Sequence, residues 1–435
     1  MMLFLLIALQ AAAPVGRSDS VPAADSVPRI TLGEAIRRST QLDPDYVRAL
    51  GQMDDAEWGR RAAVLAFVLP SVQVGLDETK YSQAFFNPAN PANPTSTLVV
   101  GRASARYELS FRKFSELSRT KAEMASADAG EVEQRYRTAL ETESSYYDVL
   151  VSQELTRVGR ERVSRAREGL TVARARVSSG AAVPTDSLQL VLELIRSQVE
   201  VLRQENALRR AQLELGRRVG AAGPVDGMPA DTLPPPELPL TLPEALRAAL
   251  DQGPQYRTAR ANESVAEADL KSQRGDYLPT LSVGGLHQRY DTQLFPGAAN
   301  ISSLTVRVSL PIWDDGLREI EITRARVNRD VTRAVRSDLE RVVRRDVTDA
   351  YDVYQTSRAA LDLAQVGVTV ARETYRMQEL RYRSGASTIL DLLDAQVNLA
   401  QAEAGLAQAR YANRLALAGL EAILGRRLFT NKDVP

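Results

Sequence analysis

Two carboxylates three residues apart, Asp391 and Asp394 in Leu390-Asp-Leu-Leu-Asp-Ala, carry the clearest chemistry in the chain. Residues at i and i+3 share a helix face, so the pair presents two negative charges side by side. Such charges favour cations. An aspartate in a first helical turn is also favoured by the helix dipole alone, so a purely local role stands beside the cation-attracting one. Little else could do chemistry. The single histidine, His287, and the absence of cysteine argue against a His- or thiolate-based metal site, a catalytic triad and a disulfide. There is no phosphate-binding loop and no nucleophile–base arrangement. Val177-Ser-Ser-Gly180 is a turn, not a phosphate cradle. No cofactor is implied, and few His, Met and Cys argue against a dedicated soft-metal role.

The elements that position the two aspartates are long. Tyr382-Arg-Ser-Gly385-Ala386-Ser-Thr-Ile-Leu-Asp391 interrupts an Ala- and Arg-rich helical pattern at one turn, and Val177-Ser-Ser-Gly180-Ala181-Ala-Val-Pro-Thr185-Asp186 echoes it. Glycine fits the left-handed position after a helix end, proline suits a helix start, and Thr or Asp suits a first turn. Each copy therefore reads as the tip of a helical hairpin. From about Phe114 to Val177 there is no proline and almost no glycine, which predicts a helix of roughly 95 Å. A partner copy runs from about Leu317 to Arg383. Shorter helices return near 186–219 and 390–424. In the second, Leu393, Val397, Ala400, Ala404 and Ala407 form a seam with threes-and-fours spacing. In the first, Leu188, Leu192, Ile195, Val199 and Leu202 form one seam, while Val201, Leu208 and Leu215 lie off it. Apolar residues on two sides require neighbours on two sides.

The whole chain is a tandem duplication. Thr31-Leu-Gly-Glu-Ala-Ile-Arg37 is repeated as Thr241-Leu-Pro-Glu-Ala-Leu-Arg247, and Val68-Leu-Pro70 as Tyr277-Leu-Pro279. After each Leu-Pro the period changes to two. Val72, Val74 and Leu76 alternate with polar residues. Ala103, Ala105, Tyr107, Leu109 and Phe111 alternate with Arg102, Ser104, Arg106 and Glu108. In the second half Leu304, Val306 and Val308 alternate with Ser303, Thr305 and Arg307. The alternation slips at Gly284-Gly285, which predicts a bulge. The organisation expected is an export signal and flexible leader over 1–24, a first repeat over 25–222 (β-hairpin about 68–112, tip near 178–186), a linker over 223–239, a second repeat over 240–429 (β-hairpin about 278–312, tip near 383–391) and a tail over 430–435. The linker holds Leu233-Pro-Pro-Pro236.

The chain has 435 residues, 44% of them hydrophobic, and Lys+Arg and Asp+Glu balance at 55 each. That is enough for a core, and a neutral balance gives no bulk attraction to nucleic acid. No run approaches the ~18 apolar residues of a membrane helix. If the chain spans a membrane it does so with strands, and open strand edges cannot exist in lipid. Four strands cannot close into a barrel, since small barrels begin at about eight. A transmembrane reading therefore requires an oligomer, and this reasoning does not choose between dimer, trimer and tetramer. The fold class expected is mainly α with transmembrane β. Arg102, Arg106 and Arg307 share the polar strand face and are candidates to line its lumen. The Tyr146-Tyr147 pair and Trp313 are expected to pack, and Trp313 also suits a membrane interface.

Duplicated Leu-Pro strand hairpins, long helices and Ser-Gly-x5-Asp tips resemble the TolC family of outer membrane efflux channels over about residues 30–425. The resemblance implies a homotrimer in outer membrane lipid, with a twelve-stranded β-barrel and a periplasmic α-barrel built from the long hairpins. It also implies passive export work with a periplasmic adaptor and an inner-membrane transporter, with no enzymatic activity. In such channels an iris closes the periplasmic entrance. Asp391 and Asp394 match its acidic constriction, and Tyr382 matches the tyrosine that holds it shut, with Asp186 as partner and Thr185 beside it. Gly180, Ala181, Gly385 and Ala386 would form the tips that face an adaptor. The basic residue expected two after Gly385 is Ser387 here, leaving Arg381 or Arg383 to substitute. The competing reading, a coiled-coil scaffold or adaptor of the envelope, explains the helices but neither the strand alternation nor the two equal copies.

Overall fold

Two 68-residue helices, α3 (Phe111–Ser178) and α7 (Leu317–Ser384), set the length of the molecule. In this computed structural model the described residues are 27–88, 90–229, 237–294, 297 and 299–429. The expected export signal, the Leu233–Pro236 part of the linker and the tail lie outside them. Each long helix stops at a glycine in the left-handed region, Gly180 at φ 75° and Gly385 at φ 81°. That region costs an L-residue with a Cβ roughly 1–2 kcal/mol. The return helices are α4 (Pro184–Arg218) and α8 (Ile389–Leu424).

At its start α3 differs from the alternating pattern. The strand expected to run through Phe111 ends at Leu109. Ser110 takes extended backbone and its hydroxyl accepts from the Lys113 amide at 3.3 Å. That N-cap turns Phe111 into the first helical residue.

Packing places the helices in a row. α3 packs against both return helices, α4 and α8, while α7 packs against α8. The order across the row is α4–α3–α8–α7. On the inner side of α4, Val201 approaches Gly159 so closely that a Cβ on that glycine would lie 3.2 Å from Val201 Cγ2, and Leu190 and Leu215 are buried. The other seam of α4, Leu188, Leu192, Ile195, Val199 and Leu202, is exposed. So is a row on α7 made by Leu363, Val366, Val370, Met377 and Leu380. Both ends of the row thus carry apolar flanks without a partner in the protomer.

Around the middle of the long helices sit α1 (Leu32–Leu42), α2 (Pro44–Val68), α5 (Leu242–Gln252) and α6 (Pro254–Arg274), with the short parallel pair β1 (Arg29–Ile30) and β4 (Asp226–Gly227). Tyr146 and Tyr147 pack into the core here, and the Tyr146 hydroxyl donates to the carbonyls of Met228 at 2.7 Å and Ile30 at 3.2 Å. The end of α8 seats against the α5–α6 junction through Gly425, at φ 66°. A Cβ there would meet Pro254 Cδ at 2.8 Å and the Gln252 carbonyl at 3.0 Å. Gly425→Ala is therefore expected to destabilise the fold by about 1–3 kcal/mol, from strain and overpacking together. An unchanged denaturation midpoint would contradict this.

The strands β2 (Ser71–Phe85), β3 (Thr95–Leu109), β5 (Thr280–Asp291) and β6 (Ala299–Ser309) form one antiparallel sheet in the order β2-β3-β5-β6. The bulge expected at Gly284-Gly285 is absent. β5 pairs in continuous register through both glycines, with Arg106 and Ala105 on one side and Thr305 and Leu304 on the other. An inserted residue there would break two ladders at once, because β5 is an interior strand. The register shift lies instead in β2, between Lys80 and Phe85. Trp313 does not pack as expected within the protomer; it is 73% exposed, just past the end of β6.

The sheet is apolar on its exposed face. Val72, Val74, Leu304, Val306 and Val308 all point outward, Val74 at 82% exposure. The opposite face is a polar groove that includes Gln73, Ser104, Ser303 and Thr305. Among the described residues no helix is long and apolar enough to cross a membrane. The strands, at 11–15 residues, meet the ~9–11 residues a tilted transmembrane strand needs.

Candidate functional site at the helix tips

At the tips the two hairpins meet through an apolar cluster of Leu170, Ala173, Leu190, Tyr382, Ile389 and Leu392. Tyr382, in the last turn of α7, is 1% exposed and reaches across to the first hairpin. Its hydroxyl donates to Asp186 Oδ2 at 3.4 Å, a long bond by ordinary O–H···O standards. Burial, and then the Asp186 carboxylate, push the Tyr382 phenol above its ordinary value, against the pull of Arg176. Thr185 lies exposed beside Asp186.

Arg176 supplies the cation of this cluster, and sequence reasoning missed it. Its guanidinium sits 4.6 Å from the centroid of the Tyr382 ring. Nη1 donates to the Tyr382 carbonyl, and Nη2 to the Ala181 carbonyl at 3.2 Å. The substitutes expected for the missing basic residue at 387 do not take part. Arg381 turns back to the Ala386 carbonyl at 3.4 Å, and Arg383 pairs with Glu379. The reason is geometric. Arg176 and Arg381 each stand four residues before the turn glycine and each satisfy the carbonyl just beyond it, but only Arg176 faces the other hairpin. Ser387 occupies the vacated position with a buried hydroxyl that has no hydrogen-bond partner among the described residues.

Asp391 and Asp394 open α8, both exposed. Asp391 is engaged locally. Its Oδ2 accepts from the Thr388 amide at 3.0 Å and the Thr388 hydroxyl at 2.8 Å, while its own amide donates to Thr388 Oγ1 at 3.2 Å. That reciprocal capping box satisfies two helix-end donors. Those bonds hold Asp391 below the usual carboxylate range, so it stays ionised and adds its charge to that of the exposed Asp394 one turn on. Gly180, Ala181, Gly385 and Ala386 form the exposed ends of the two turns.

Roughly 20 Å above the tips, counted along the helices, a second tie crosses the hairpins. Glu403 of α8 accepts from Arg165 of α3 at 3.0 Å and lies 3.7 Å from Arg372 of α7. Residues this far apart in sequence carry no spacing signal, and the tie is visible only in the fold. At the other end of the molecule, Arg102, Arg106 and Arg307 all lie in the polar groove of the sheet. Arg102 pairs with Asp77 at 3.4 Å. His287 is on the opposite face, exposed and 2.8 Å from Ser302 Oγ.

The profile of the outer membrane efflux protein family matches residues 245–426. The match to the outer membrane efflux protein family thus covers most of the second repeat. Among curated relatives, protein CyaE of Bordetella pertussis is 30% identical over 188 residues, 43% of this chain and 40% of that protein. The pyoverdine export outer membrane protein OpmQ of Pseudomonas putida is 25% identical over 395 residues, 86% of this chain and 81% of that protein. The cobalt-zinc-cadmium resistance protein CzcC of Cupriavidus metallidurans is 27% identical over 269 residues, covering 59% of this chain and 60% of CzcC. The chain thus spans two-fifths to three-fifths of several of these relatives. The fold extends further than the family profile. The outer membrane channel CmeC of Campylobacter jejuni superposes with a TM-score of 0.77 at 15% identity, covering 91% of this chain and 85% of that one. VceC of Vibrio cholerae gives 0.73 at 16% identity, covering 92% and 97%. The fold of these outer membrane channels therefore runs through both repeats.

Proposed function

We propose that this protein is the outer membrane exit duct of a tripartite efflux or type I secretion system, a passive conduit that carries cargo received from a pump–adaptor assembly. The observation that carries the reading is the inverted sheet, apolar on its exposed face and polar in its groove. In water such a face is a liability; in lipid it is the required arrangement. Three copies of a four-stranded sheet would close a barrel of twelve strands, above the minimum of about eight. The same closure would seat the exposed α4 flank of one copy against the exposed α7 flank of the next. Burying each leucine-sized side chain there would contribute about 1.5–3 kcal/mol.

In this homotrimer the tips form the periplasmic entrance. Asp391 and Asp394 line its mouth, and Tyr382, Asp186 and Arg176 hold the second hairpin against the first. The exposed turns at Gly180–Ala181 and Gly385–Ala386 meet a periplasmic adaptor, which links the duct to an inner-membrane transporter. Closely set carboxylate rings select cations and bind polyvalent ones. Asp391→Ala with Asp394→Ala is therefore expected to weaken block by a trivalent cation added on the tip side by at least tenfold, and to lower cation selectivity, with folding intact. Unchanged block and selectivity in the double variant would remove the acidic mouth from the mechanism.

A further inference from the structure

The polar groove of the sheet holds a second charged zone, at the end of the strands nearest the helices. Its face carries three arginines, Arg102, Arg106 and Arg307, against two acids, Asp77 and Glu108. Arg102 and Asp77 neutralise each other at 3.4 Å. Arg106 and Arg307 have no ion-pair partner among the described residues, and Glu108 lies in the Arg307 row with Ser282 between them. The register puts Gly284 directly between Arg106 and Thr305. A Cβ on Gly284 would meet nothing closer than the Ala105 carbonyl at 3.9 Å, so the groove floor beside Arg106 is open. Ser282 stands next to Gly284 on the same face and flanks Arg307. The groove holds about 830 Å³, within the ~300–1,000 Å³ of small-molecule clefts.

We propose that Arg106 and Arg307, with the hydroxyls of Ser282 and Thr305, form an oxyanion-binding site at the base of the barrel that recognises solutes bearing phosphate, sulfate or carboxylate groups. Guanidinium donors match the geometry of such groups, and rings of arginine select anions in pores. A polar wall needs only hydroxyls and amides to hold water. Two unpaired guanidinia over an open floor add an anion preference that solvation alone does not call for. The inference rests on the duct reading, in which three copies of this groove line one lumen and each adds two unpaired guanidinia against the one carboxylate of Glu108, a net positive charge. The duct then carries an acidic zone at the tips and a basic zone at the barrel base, in series.

The test uses the purified full chain in planar bilayers with inorganic pyrophosphate as probe. Pyrophosphate added on the barrel side is expected to block the wild-type pore at millimolar concentration. Arg106→Gln with Arg307→Gln is expected to weaken that block at least tenfold and to shift the reversal potential in a KCl gradient toward cations. Trivalent-cation block from the tip side should stay as in wild type. A wild-type pore indifferent to pyrophosphate, or a double variant with wild-type block and reversal potential, overturns the site and leaves the duct standing. A wild-type protein that forms no pore overturns both.

Discussion

Replacing Arg427 by alanine is expected to lower the stability of the folded protein by about 3 kcal/mol. Arg427 lies just past α8 and donates to Glu143 of α3 at 2.6 Å and to Glu421 of α8 at 2.8 Å. Glu421 also accepts from the Leu428 amide at 2.8 Å. The two carboxylates are almost completely buried, 3% and 4% exposed. Removing one partner of a buried pair costs ~3–5 kcal/mol because the remaining charge is stranded. The lower end applies here, since the Arg427 side chain is 33% exposed. Burial already holds Glu143 above the ordinary carboxylate range, against the pull of Arg427. Without the arginine it rises further. A group with a raised folded pKa stabilises below its unfolded value and loses that contribution as pH rises through the folded value. The deficit of the variant should therefore be larger at pH 7 than near pH 4.5. Urea midpoints followed by circular dichroism in detergent would show both effects. Equal midpoints for the two proteins at pH 7 would mean that Arg427 does not secure the end of the second repeat to the first.

The second large effect concerns the proposed entrance at the helix tips. Arg176→Ala with Tyr382→Phe removes the stacked guanidinium, its bond to the Tyr382 carbonyl and the Tyr382–Asp186 bond. A cation–π contact contributes ~0.5–2 kcal/mol and a hydrogen bond to a charged group ~1.5–3. Even a net loss of 1–2 kcal/mol shifts the closed-to-open ratio of each copy roughly 5–30-fold. The double variant should show a matching rise in open probability in bilayers, and uptake of bulky antibiotics by cells that express it. Arg176→Lys should recover part of the closure, because the charge remains and the planar stack is lost. Unchanged open probability would assign this cluster to packing alone.

How much of this could be read from the chain follows from where the signals sit. Turn glycines and cap residues are local, and they place the ends of α7 and α8 within a residue or two of Leu317–Ser384 and Ile389–Leu424. Strand alternation is local as well, and it separates the lipid-type face from the groove holding Arg102, Arg106 and Arg307. The Gly284-Gly285 slip was misleading, because glycine without a side chain interrupts the alternation without interrupting the ladder. Trp313 and Arg176 expose the limit of spacing arguments. Whether a side chain packs, and which of two equivalent arginines crosses to the other hairpin, depends on contacts between segments some 200 residues apart, such as 176 and 382. The row α4–α3–α8–α7 is likewise a tertiary fact. The seam on α4 indicated that a second neighbour is needed, and the fold leaves that seam open for one.

The central claim is that this chain forms a pore, and single-channel recording of the purified protein in planar bilayers tests it most directly. The expected result is discrete conductance steps from a detergent-dependent, heat-dissociable trimer, blocked by a trivalent cation added on the tip side. A protein that stays soluble and monodisperse without detergent and gives no conductance would contradict the duct, and its inverted sheet would then need another explanation.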